Sequence, residues 1–483
     1  MESSIQRSSF SIQRSVAVLP ICIVPPAIFV LLSAWWSWRC PSSMAYLGYL
    51  QGDQPTYTAL ARAVFQRGNG LFYANPFDFD PSAPRVLTNL GYIALGWAMR
   101  ALGQRSVLVW ELWRIGFGAT CYFLFAALVG RFFRSALMRW WVFLAGVFGG
   151  GAAWIVTLAA AATHPHNGLI ACFVEAEKGY DWWCLNLFRQ SIYPLELFYH
   201  TCFFAALLSY LDRRYCRLLA IVFALWWAHV VTAILATTII GLALGVELLR
   251  RFVDCGSHAA ALGQDAHENC RSAAGPAVVS CSTSTRDTGA PRLDRARRGP
   301  AFRRWPTFIN FWVAQHAMKG SHVRTHGNLV GRRTPHEGLA LVALAAVACV
   351  WIAYYGLFLP RLSSVRSWIE QTLSFEMNMT LSVWPRAWGL LLLGPVAALC
   401  YSPLRRYLLG DRTGRLVLLW GFAAFAWSHN NLVLSRPIQP MHFGRGYIYL
   451  FLLVLSAKAV EILFNRGDAE AVEKGLSPRS LRL

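Results

Sequence analysis

LLAIVFALWWAHVVTAILATTIIGLALGVELL, residues 218–249, is too apolar for the surface of a soluble domain and too long for a single membrane crossing. About twenty apolar residues span a bilayer as a helix. The segment therefore reads as two spans divided at His229, the first of them short unless it reaches back through Tyr215. Around it lie further runs of the same kind at 16–38, 110–129, 140–162, 193–211, 338–359, 388–401, 416–427 and 447–463. The sequence thus predicts an all-α polytopic membrane protein with about ten transmembrane helices.

Composition supports this class. Of 483 residues, 56% are hydrophobic and 14% charged, with 21 Trp and a mean hydropathy of +0.39, outside the range of soluble domains. The formal net charge of +21 is spread over Arg residues between apolar runs, and no RNA- or DNA-binding module accompanies it, so nucleic acid is not an expected partner. The 12 cysteines contain no CxxC pair, and several lie inside apolar runs where Cys acts as a small hydrophobe. Neither a metal cluster nor a disulfide framework is expected.

Charge orients the spans. With both termini inside, the short links GRFFRSALMR (130–139), DRRYCR (212–217) and SPLRRYLLGDRTGR (402–415) are cytoplasmic, and all are Arg-rich, as the positive-inside rule requires. Residues 86–102 are long enough to cross, but doing so would place Arg131, Arg134 and Arg139 outside. They are assigned to the membrane interface. The expected organisation is an N-terminal transmembrane module (1–250) with a long exterior loop (39–109), a basic cytoplasmic insert (251–337), C-terminal transmembrane helices (338–465) and a cytoplasmic tail (466–483). The first half of the insert is poor in apolar residues and is expected to be a disordered linker. Residues 305–320 are more apolar and suit a membrane surface.

Unusual polar residues gather on the exterior side. In the first loop, AYLGYLQGDQPTYTALARAVFQRGNGLFYANPFDFDPSAP (45–84), Asp53 precedes Tyr57, Leu60, Ala61, Val64 and Phe65. That spacing predicts a one-sided helix lying flat in the headgroup layer. Asp53 stands at its N-terminal end, where a helix cap alone would account for it. Asp78 and Asp80 form an Asp-x-Asp, an arrangement that holds a divalent cation against a diphosphate and also suits a plain turn. No cofactor beyond such a cation is indicated. His164 and His166 lack a third ligand at a diagnostic spacing, so no metal site is assigned. Glu175 and Glu177 flank Ala176 in the second loop, a pattern also common on a solvated face. In the last loop, SHNNLVLSRPIQPMHFGRG (428–446), Arg436 and Arg445 sit beside a span on the side that usually carries fewer positive charges. A phosphate would explain them, because the guanidinium fork matches its oxygens.

These parts suit sugar transfer from a lipid phosphate, which needs a carboxylate base and cationic stabilisation of the departing phosphate. Asp53 is the candidate base; Arg436, His442 and Arg445 are candidates to hold the phosphate.

The layout resembles the GT-C superfamily of polytopic glycosyltransferases. The resemblance rests on Gly52-Asp53-Gln54, the helix that follows it through Phe65, and 86–102 as a second juxtamembrane helix, and it covers roughly the first 250 residues. It implies a polyprenyl-phosphate sugar as donor and a glycan or lipid as acceptor. The acids of the second loop, Glu175 and Glu177, would correspond to a second acidic site seen in some members. The Arg-rich insert departs from a compact member. The competing expectation is a transporter or flippase for a lipid-linked or anionic substrate. Pro25, Pro26 and Pro395 interrupt spans as such proteins require, yet no paired halves are visible. A non-catalytic scaffold is the third reading, and it would tolerate substitution of the exterior acids and arginines. The plasma membrane is favoured; Asn378-Met379-Thr380, a glycosylation sequon in an exterior loop, keeps the endoplasmic reticulum open.

Overall fold

The computed structural model describes residues 2–44, 53–66, 70–75, 78, 80, 82–149, 153–164, 172, 186–272, 335–363, 365–366, 383–435 and 437–473. Among the described residues every regular element is a helix, and extended chain pairs at one isolated bridge, Tyr73 with Leu87. Five helical stretches are long and apolar enough to cross a membrane: Pro20–Arg39, Ser106–Phe132, Val230–Asp254, His336–Arg361 and Pro440–Asn465. The chain is therefore a helical membrane protein by length and composition. It divides into two compact units, Met1–Val16 with Glu247–Gly331, and Ala17–Val246 with Arg332–Leu483.

In chain order the helices are α1 (Glu2–Arg39), α2 (Gln54–Gln66), α3 (Leu90–Ala101), α4 (Ser106–Phe132), α5 (Ala136–Phe148), α6 (Ala153–Thr163), α7 (Leu187–Gln190), α8 (Pro194–Leu211), α9 (Tyr215–Ala228) and α10 (Val230–Ser272). Then come α11 (Pro335–Ile352), α12 (Val383–Trp388), α13 (Leu393–Cys400), α14 (Ser402–Gly410), α15 (Arg412–Ser428), α16 (Pro440–Gly444) and α17 (Tyr447–Glu473). In the first unit the described residues are the start of α1 and the end of α10. Residues 251–272 belong to α10, so part of the expected linker is helical. A helix already nucleated by an apolar span propagates at little further cost.

Several expected spans are subdivided. The run at 140–162 is shared by α5 and α6, because α5 ends at an extended Gly149 that opens a glycine run costly to hold in a helix. The run at 388–401 begins as a 3-10 turn, Gly389–Leu392, where Gly389 takes a positive φ of 51°. The run at 338–359 leaves α11 as a π turn, Ala353–Phe358, followed by a 3-10 turn at Leu359–Arg361.

In the second unit α8 lies in the core. Its Phe203, Phe204 and Leu207 are fully buried. Phe204 meets Phe125 of α4 at 5.5 Å between centroids, while Phe203 meets Trp420 of α15 at 5.6 Å and Tyr447 of α17 at 4.5 Å. Two buried charges inside this apolar surround, Lys458 and Glu461, are paired, which offsets their desolvation. Lys458 Nζ reaches Glu461 Oε2 at 2.7 Å and the Phe132 carbonyl at 3.0 Å. Glu461 Oε1 accepts the backbone N–H groups of Arg134 and Ser135 at 2.9 and 3.0 Å, just ahead of α5.

Helices α2 and α3 pack as a pair. The expected apolar face of α2 is present, with Leu60, Ala61 and Val64 buried, but Gln54, Thr58 and Ala63 are buried too. Thr58 Oγ1 accepts the Trp110 indole N–H of α4 at 3.1 Å. Helix α2 is thus packed against neighbouring helices on more than its apolar face. The α2–α3 contact depends on Gly96: a Cβ there would sit 2.3 Å from the Ala61 carbonyl oxygen and 3.2 Å from Val64 Cβ. Gly96→Leu is expected to destabilise the protein by about 1–3 kcal/mol, the usual range for overpacking. The readout is a lower melting temperature of the detergent-solubilised chain.

Candidate active site

Asp53 immediately precedes α2, and its carbonyl accepts the Tyr57 N–H at 3.0 Å. Its side chain is exposed, and among the described residues its carboxylate has no hydrogen-bond or ion-pair partner. The cap that local sequence allows is therefore not made by the side chain. One turn on, Tyr57 stacks on Tyr92 of α3, with centroids 5.7 Å apart and planes at 27°. Burial pushes the Tyr57 phenol well above its ordinary value; Tyr92, Asp53 and Glu196 add to the rise and Arg445 opposes it. Burial likewise raises Tyr92, with Tyr73, Glu196 and Asp53 adding to it. Both phenols keep their protons at neutral pH, and both lie within the fields of two carboxylates, Asp53 and Glu196.

Glu196 stands in the first turn of α8, behind Pro194, where the helix dipole favours an acid. It is buried. Its Oε1 pairs with Arg445 Nη1, and its Oε2, sealed from solvent, has no hydrogen-bond partner among the described residues. One turn along the same face, His200 places Nδ1 2.9 Å from the Glu196 carbonyl and Nε2 3.0 Å from the Arg445 carbonyl. Its ring stacks on Tyr447 at 4.7 Å. From Tyr447 the hydroxyl lies 3.2 Å from Thr232 Oγ1, which is 2.8 Å from His229 Nδ1. His229 stacks on Tyr199 at 4.2 Å. Burial pushes His229 down to about 3, Glu196 opposing and Arg445 and His200 reinforcing the fall. The ring is neutral at physiological pH.

Two elements fix this arrangement. The turn ahead of α8 is held by Arg114, fully buried, which donates to Glu111 Oε2 at 2.9 Å and to the carbonyls of Ser191 and, at 3.1 Å, Ile192. Between α15 and α17, Gln439 adopts a left-handed conformation at φ 35° and Gly446 one at φ 75°. A left-handed non-glycine residue is strained and persists only where its surroundings hold it. Here the strained Gln439 precedes α16, and Gly446, which takes a positive φ without steric cost, follows Arg445.

Of the residues singled out in the sequence, Asp53 and Arg445 both act electrostatically on Tyr57, in opposite directions. His442 is buried in α16, three residues from Arg445. Arg436, Glu175, Glu177 and His166 lie outside the described residues. His164 is exposed at the end of α6, its Nδ1 2.9 Å from Thr163 Oγ1. Asp78 and Asp80 form turns: Asp78 Oδ1 accepts the Asp80 N–H at 3.0 Å, and Asp80 Oδ1 accepts the Ser82 N–H at 2.8 Å and hydroxyl at 2.6 Å. The Ser82 bonds hold the Asp80 carboxyl below its usual range. Among the described residues no three His, Cys, Asp or Glu side chains gather in a way that would hold a metal ion.

Glu196 and His200 were missed by sequence reading because they fall inside an apolar run counted as a span. The available signal was an ionisable pair four residues apart within that run, which puts both on one helix face. Together the site offers an exposed carboxylate able to accept a proton, two phenol donors, and a buried guanidinium held by a carboxylate. No protein-family model, curated protein or solved structure matches the chain.

Proposed function

We propose that the chain is a GT-C-type glycosyltransferase that moves a sugar from a polyprenyl-phosphate donor to a glycan or lipid acceptor at the exterior face of the membrane. The observation that carries this reading is the exposed Asp53 carboxylate, without a partner among the described residues, acting on the Tyr57 phenol that also feels the Glu196–Arg445 pair. In the reaction Asp53 takes the proton from the acceptor hydroxyl, and the acceptor oxygen bonds to the anomeric carbon. The bond from that carbon to the phosphate oxygen breaks, and its electron pair leaves with the phosphate. Arg445, with His442 beside it and Arg436 from the same segment, would stabilise that charge. Glu175 and Glu177 would contribute from the second loop. The accompanying topology has about ten spans and both termini inside. The Arg-rich links face the cytoplasm, and the plasma membrane is the favoured location.

The test is native mass spectrometry of the detergent-purified full chain, with decaprenyl phosphate added. A bound prenyl phosphate is expected, released in Arg436→Ala and weakened at least tenfold in Arg445→Lys, since an ammonium lacks the fork that grips two phosphate oxygens. Failure of the wild-type chain to bind it at all would sink the transferase reading. A flippase would also bind the carrier, so reconstituted vesicles supply the second arm: a transferase cleaves the sugar–phosphate bond, a flippase moves the lipid intact.

A further inference from the structure

The Glu196 carboxylate is half used. Oε1 meets Arg445, while Oε2 is buried and without a hydrogen-bond partner among the described residues. A buried acceptor left unpaired is disfavoured and uncommon in a folded chain, and it marks a place where another donor belongs. The groups around it narrow that donor's chemistry. Tyr199 and His229 form a stacked pair at 4.2 Å, Tyr57 and Tyr92 another at 5.7 Å, and Glu196 acts electrostatically on all four. The neighbouring cation, Arg445, is already bonded to the same carboxylate. A cationic donor would be repelled by that guanidinium, whereas a hydroxyl would not. Aromatic rings beside a carboxylate suit a ligand with apolar C–H faces and O–H donors on one small frame, which describes a sugar ring.

We propose that Glu196 is a sugar-binding residue, its Oε2 accepting a hydrogen bond from a ring hydroxyl near the phosphate-bearing carbon while its Oε1 orients Arg445 toward the phosphate. The inference rests on the transferase reading and adds to it the residue that distinguishes a loaded carrier from an empty one. In a glycosyl phosphate the hydroxyl next to the anomeric carbon lies close to the phosphate oxygens. One carboxylate–guanidinium pair therefore spans both.

The experiment compares binding of bare decaprenyl phosphate with its glucosyl, mannosyl, galactosyl and arabinosyl esters, by native mass spectrometry on the full chain, in wild type, Glu196→Gln and Glu196→Asp. Wild type is expected to bind at least one ester tenfold or more tighter than the bare carrier. In both variants that preference is expected to fall to less than threefold. A merely structural role for Glu196 would weaken bare and loaded carrier together and leave the preference intact. An unchanged preference in either folded variant, with melting temperature as the check on folding, overturns the proposal and assigns Oε2 to an ordered water. Equal wild-type binding of bare and loaded carrier overturns it too. Absence of any carrier binding in wild type strikes the transferase reading itself, and the proposal falls with it.

Discussion

Asp53→Asn is expected to lower the rate of sugar transfer by about two to four orders of magnitude, the range that a positioned general base contributes. The melting temperature is expected to stay unchanged. Asn matches Asp in size and keeps one oxygen, but it cannot take up the acceptor's proton. The separation of activity from stability follows from the geometry. The Asp53 side chain is exposed and makes no bond among the described residues, while the contact that starts α2 uses the Asp53 carbonyl, which Asn retains. Transfer of a radiolabelled sugar in proteoliposomes, measured beside a fluorescence melting curve, reads both quantities. Wild-type transfer rates in a folded Asp53→Asn protein would remove Asp53 from the mechanism. Asp53→Glu serves as the control: it keeps the carboxylate but shifts it by one methylene, so it is expected to fall between the two.

The helical class was legible because apolar runs of membrane length have few alternatives. What interrupts those runs was less so. Gly149 ends α5 and Gly389 takes a positive φ, yet glycines inside apolar runs are also common where helices approach closely. Gly96 is such a case, seated against the Ala61 carbonyl. Periodicity alone does not separate the two uses. For α2 the apolar face was readable, but burial of Thr58 was not, since it follows from a bond to Trp110, 52 residues away.

The site divides in the same way. Asp53 was visible as a lone acid before an amphipathic helix, and Arg445 as an arginine beside a span. Their shared electrostatic action on Tyr57 was not visible. Arg445, the residue after α16, is held beside α8 by its pairing with Glu196 across 249 residues of sequence. In the sequence Arg445 reads as an arginine suited to a phosphate, whereas the structure gives it a carboxylate partner.

That partner sets the second large effect. Arg445→Met is expected to destabilise the protein by about 3–5 kcal/mol, the cost of removing one member of a buried ion pair. The carboxylate left behind has no bond at Oε2 among the described residues and would lose the partner of Oε1. The His200 bond to residue 445 uses the backbone carbonyl and survives the substitution, so the loss reports on the side-chain pair. Glu196→Leu combined with Arg445→Met removes both charges. Because a well-packed apolar replacement of a buried pair is often neutral or stabilising, the double variant is expected to recover most of the lost stability. Chemical unfolding of the four proteins closes the cycle, and equal, additive losses from the two single changes would show that the pair is not coupled. If the double variant regains stability but not carrier binding, the pair is kept for what Arg445 and Glu196 do to a ligand. A protein that needed only a filled interior would be served as well by leucine and methionine.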